Sequence, residues 1–72
     1  MNPLQQHLTE YLVLDYFHKD SGQRVIEVGL YKVDENDLKF RLIKFVNGVF
    51  KEIFTTEKQE EALEKFQNMC KR

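Results

Sequence analysis

The sequence predicts an α+β domain, a four-stranded antiparallel meander sheet packed by a C-terminal α-helix in the order ββββα. Three observations carry this. Asn47-Gly48 stands between two apolar runs rich in β-branched and aromatic residues, the strongest short-range hairpin signal, because both residues tolerate the positive φ of a tight turn. Two earlier runs, 11–18 and 24–33, are rich in β-formers and flank a segment of turn residues. Beyond Thr56 the apolar residues Ala62, Leu63, Phe66, Met69 and Cys70 recur at helical spacing.

Residues 1–9 are a lead-in or a short helix. Asn2 suits an N-cap, Pro3 suits the first helical position, and Leu4 and Leu8 share a face at i, i+4. A helix this short is weak without packing, so an irregular segment is the alternative. The first strand, 11–18, leads into a turn at 19–23 in which Gly22 takes positive φ. In the second strand Ile26, Val28 and Leu30 lie on one face and Val25, Glu27, Gly29, Tyr31 and Val33 on the other. Gly29 marks a bulge or a close approach to the backbone. Asp34-Glu35-Asn36-Asp37 reads as a solvated turn. It lacks the glycine and the terminal bidentate Glu of an EF-hand loop. Residues 38–46 and 49–56 form the Asn47-Gly48 hairpin. Thr55 or Thr56 caps a helix over 57–71, in which Glu61 and Lys65 form a favourable i, i+4 pair. The whole, 1–72, is a single domain with its sheet within 10–56.

At 72 residues the chain buries only about 60% of its unfolded surface, so its core needs support from good packing or self-association. Cys70 is the lone cysteine, which rules out a disulfide within one chain. One Cys with His7 and His18 does not make a closed zinc set, and no metal or cofactor is expected. A net charge of −1 argues against binding duplex DNA by bulk electrostatics and against an acidic DNA mimic. The start has no basic region followed by an apolar run, and no run is long enough to span a membrane, so a cytoplasmic location is expected. Neither histidine has a sequence-adjacent partner that makes a catalytic dyad, and the glycines at 22, 29 and 48 form no phosphate loop. Cys70 reads as buried filler. Enzyme activity is not expected.

The feature that carries information is that both sheet faces are apolar. In the first strand Leu12, Leu14 and Tyr16 alternate with Tyr11, Val13 and Phe17, and in the fourth Val49 and Ile53 alternate with Phe50 and Phe54. One helix covers one face. The other packs on a second copy, receives a protein or nucleic-acid partner, or is covered by the lead-in through Leu4 and Leu8. The third-to-fourth register has two forms. A two-residue loop sets Val46 opposite Val49 and Lys44 opposite Lys51, an unfavourable like-charge pair. A three-residue loop, 46–48, pairs Phe45 with Val49, Leu42 with Glu52 and Phe40 with Phe54, and is preferred because it separates the lysines. Lys39, Arg41, Ile43, Phe45 and Lys51 then share a basic, partly aromatic face with Val49 and Ile53. With Arg24 and Tyr31 they make the candidate interaction surface, though alternating lysines also serve simply as a solvated rim.

The strand and helix order resembles small single-strand nucleic-acid binders of the PUR type. The residues Phe54-Thr55-Thr56, Glu61-Ala62-Leu63, Phe66 and Lys71 are similar to the end of a WGR domain, but the Trp-Gly-Arg core is missing and no residue role is carried over. The expected function is that of a small non-enzymatic interaction or regulatory protein, by analogy a phage or mobile-element inhibitor or a small bacterial regulator. It is expected to act through its sheet as a homodimer or with a protein partner, away from membranes. The alternative is a single-stranded nucleic-acid-binding module that also uses Lys44.

Overall fold

The computed structural model describes residues 10–71 together with Leu4. Strands β1 (Leu12–Asp20), β2 (Val25–Lys32), β3 (Phe40–Val46) and β4 (Val49–Thr56) form one open antiparallel sheet in the order β1-β2-β3-β4. Helix α1 (Gln59–Cys70) packs on it, giving the ββββα architecture. Every connection is short, so sequence neighbours pair and β1 and β4 are left as edges.

The β3–β4 hairpin turns on two residues in left-handed backbone, Asn47 at φ 52° and Gly48 at φ 78°. Val46 opposes Val49 and Phe45 opposes Phe50, so the three-residue loop is corrected to a two-residue one. The clash of Lys44 with Lys51 is avoided instead by a β-bulge at Lys51. Beyond it Lys44 opposes Glu52, Leu42 opposes Phe54 and Phe40 opposes Thr56. The turn is also tied to β2. The Asn47 amide donates to the Val25 carbonyl at 2.8 Å, and its Oδ1 accepts from the Val25 amide at 2.8 Å.

A second bulge, at Leu14, corrects the expected faces of β1. Val13 opposes Tyr31 and Asp15 opposes Leu30, so Leu12 joins Asp15, Phe17 and Lys19 on the helix side, while Val13, Tyr16 and His18 point to the open side. Gly29 is not itself bulged. It stands in regular register between Tyr16 and Ile43 and is itself buried.

The core beneath α1 is Ile26, Val28, Leu30 and Leu42 against Ala62 and Met69, flanked by Phe17, Phe40, Phe54 and Phe66. The helix begins at Gln59 rather than at 57. Thr55 and Thr56 stay paired with Arg41 and Phe40, and the Thr56 hydroxyl accepts from the Lys58 amide at 3.1 Å instead of capping the helix. On the opposite face Leu4 is fully buried with Tyr31 and Ile43, against Tyr11, Tyr16 and Phe45. The lead-in therefore covers part of the second face. The expectation for Leu8 and the helical turn over 2–9 lies, apart from Leu4, outside the described residues, as does Arg72.

Leu4→Ala should lower stability by about 2 to 5 kcal/mol, the usual cost of emptying a fully buried leucine site. Urea unfolding checks this. A loss below about 0.5 kcal/mol, the scale of surface substitutions, would show that Leu4 does not hold the open face.

Candidate interaction surface

The open face divides in two. Its β1–β2 half is closed by Leu4 over Tyr31 and Ile43, with the Tyr11 and Tyr31 rings 4.9 Å apart. Here the structure buries a charge that the sequence did not single out. Glu27 sits opposite His18 and Phe45 and is almost entirely out of solvent. A buried carboxylate needs donors. The Tyr16 hydroxyl donates to Glu27 Oε2 at 2.8 Å, and His18 Nδ1 stands 3.7 Å from the same oxygen. His18 thus has a carboxylate partner across the strand pair, visible only once the register of β1 on β2 is known.

The β3–β4 half is bare. Phe50 and Ile53 are 52% and 53% exposed, and half-buried Phe45 meets the Phe50 ring edge-on at 6.2 Å. Cross-strand pairing lines them up, Phe45 with Phe50 and Ile43 with Ile53, and the bulge sets exposed Lys51 beside them.

The sequence-derived candidates scatter relative to this patch. Phe45 and Lys51 belong to it. Ile43 and Tyr31 are buried under Leu4 and lie beneath the surface rather than on it. Arg24 is exposed in the β1–β2 loop. Lys39 is exposed but precedes β3, because the Asp37 carboxylate takes its amide at 3.1 Å. Arg41 is held by an ion pair to Asp37. Lys44 is buried on the opposite, helix side across from Glu52, so it is no part of a basic open face. Phe50 is the residue that the sequence reading set aside. The two-residue loop was the signal for it, since that loop places Phe50 opposite Phe45.

The acidic turn is a fastening. Asp37 accepts from the Val33 amide at 2.9 Å, from the Lys39 amide and from Arg41, while Asp34 Oδ1 accepts from the Asn36 amide at 2.8 Å. The Val33 and Lys39 amides, then Arg41, hold the Asp37 carboxyl below its ordinary pKa. Among the described residues no group of three or more His, Cys, Asp or Glu is placed to hold a metal ion, and no helix is long and apolar enough to cross a membrane. Cys70 is half-buried against the core. Burial and the negative charge of Asp15 push its thiol pKa up, with Lys44 pulling the other way.

No family model, curated protein or solved structure matches this chain.

Two outcomes follow from these environments. A depressed folded-state pKa makes the Asp37 contribution to stability present above the ordinary carboxylate range and lost as pH falls through the lowered value. Denaturant midpoints of the wild type and Asp37→Asn should therefore differ at neutral pH and converge in acid, and a constant difference would refute the assignment. The Cys70 thiol should react with iodoacetamide near neutral pH more slowly than a free cysteine does, and reach the free rate in denaturant. Equal rates in the folded chain would contradict the packing described.

Proposed function

We propose that this chain is a small non-enzymatic interaction protein, regulatory in kind, that works by protein contact through its sheet surface and as a homodimer. The observation that carries the reading is the bare half of the open face, where Phe50 and Ile53 stand more than half exposed next to Phe45. Aromatic and branched apolar side chains grouped in this way are what the centre of a protein contact is built from. Lys51 at its margin adds a polar rim. The nucleic-acid reading has less support, because of its residues only Arg24, Lys39 and Lys51 are exposed, while Arg41 is paired, Lys44 faces the helix and Tyr31 is buried.

A photoreactive phenylalanine analogue at position 50, in the cells that make the chain, tests the reading. Covalent adducts to protein are expected, and Ile53→Lys should reduce them several-fold while leaving the thermal midpoint nearly unchanged, since Ile53 is half exposed. Adducts to single-stranded nucleic acid instead, or none at all, would overturn it.

A further inference from the structure

The two sheet edges are built differently. The ladder of β4 is broken by the bulge at Lys51, an exposed lysine, and a bulge with a lysine is a common defence against edge pairing. The bulge of β1 lies at Leu14, and from Asp15 to Asp20 the strand runs in unbroken register against β2. The β1–β2 hairpin determines which of its backbone groups face outward. The Ser21 amide donates to the Arg24 carbonyl at 3.0 Å. Antiparallel alternation then turns the backbone groups of Asp15, Phe17 and Lys19 towards β2 and those of Tyr16, His18 and Asp20 away from it. At Tyr16 the outward amide is taken by the neighbouring Asp15 Oδ1 at 2.8 Å, an exposed local contact.

Nor does α1 cover β1, since its main contacts are with β2, β3 and β4. Between helix and edge runs a groove of about 430 Å³ whose apolar lining includes Leu12, Leu14, Leu30 and Leu63. A second hollow is lined by Phe17 and Lys19 of β1 and by Phe66 and Cys70 of α1. A strand added beside β1 would not run into α1.

We propose that the occupant of this edge is β1 of a second copy, paired antiparallel about a two-fold axis at Phe17. The strand is self-complementary in charge about that residue. With Phe17 opposite Phe17 of the second copy, Asp15 faces the second copy's Lys19 and Lys19 faces its Asp15. Tyr16 and His18, whose backbone groups point outward, meet as a hydrogen-bonded pair. Centring on Tyr16 or His18 loses both ion pairs, and centring on Asp15 or Lys19 sets like charges face to face. Asp15 exchanges the Tyr16 amide for the ammonium of the second copy, and the amide gains a backbone carbonyl. The two sheets of four strands become one continuous sheet with both helices on one side and both Phe50–Ile53 patches on the other. The inference rests on the homodimer reading above and says which surface joins the copies.

Light scattering over a concentration series, with thermal midpoints as a folding control, tests it. The wild type should be a dimer. Lys19→Asp and Asp15→Lys should each weaken it on the order of tenfold, and the double exchange Asp15→Lys/Lys19→Asp should restore it. Asp15→Cys/Lys19→Cys, in a Cys70→Ser background, should oxidise to a covalent dimer, because facing residues of a non-hydrogen-bonded pair lie within disulfide reach. A dimer indifferent to all the charge changes but abolished by Phe50→Lys/Ile53→Lys would overturn the β1 pairing and leave the homodimer reading standing. A monomer at every concentration would overturn both, while the photocrosslink from position 50 reports on protein contact independently.

Discussion

The structure depends on one constraint: a four-stranded sheet that is apolar on both faces and that, among the described residues, has one twelve-residue helix packed on it. At 1.5 Å per residue the helix is roughly 18 Å long, enough to lie across part of one face and no more. It takes the β2–β4 side, where Val28 and Leu42 are completely out of solvent. Everything else about the molecule is an answer to what remains. Leu4 comes from the far end of the chain to close half of the second face over Tyr31 and Ile43. Among the described residues nothing covers the other half, at Phe50 and Ile53, or pairs with the outer edge of β1.

The two bulges resolve conflicts that a regular ladder would leave in place. A strict continuation from the Asn47-Gly48 turn would put Lys44 against Lys51. One extra residue brings Glu52 opposite Lys44 and moves Phe54 onto the helix side, where the Lys65 ammonium lies 5.4 Å from its ring centroid and 3.7 Å from Glu52. At Leu14 the extra residue exchanges the faces of β1, so that Phe17 reaches the core while Tyr16 turns to the open side and satisfies Glu27. Each costs a local break in pairing and gains a buried group with its partner.

Chemically the open face is poor in reactive groups and rich in contact area. The charges that could have given it another character are already engaged, Arg41 with Asp37 and Glu27 with Tyr16 and His18. A small domain with exposed apolar surface gains stability from whatever buries that surface, so any association at it would be coupled to folding.

The amino-acid sequence by itself determined the element order, the position of the β3–β4 turn, the helical segment to within two residues and the two-sided character of the sheet. These follow from local chemistry, from positive-φ residues at the turn, alternation in the strands and 3.6-residue spacing in the helix. Only the tertiary structure decided which residues face which way. A bulge shifts every later side chain to the other face at no visible cost in composition, so the place of Tyr16 was not legible in advance, while that of Phe50 turned on the choice between the two-residue and three-residue loops. The burial of Tyr31 and Ile43 likewise depended on Leu4, about 30 residues or more away in sequence, whose packing no local pattern encodes.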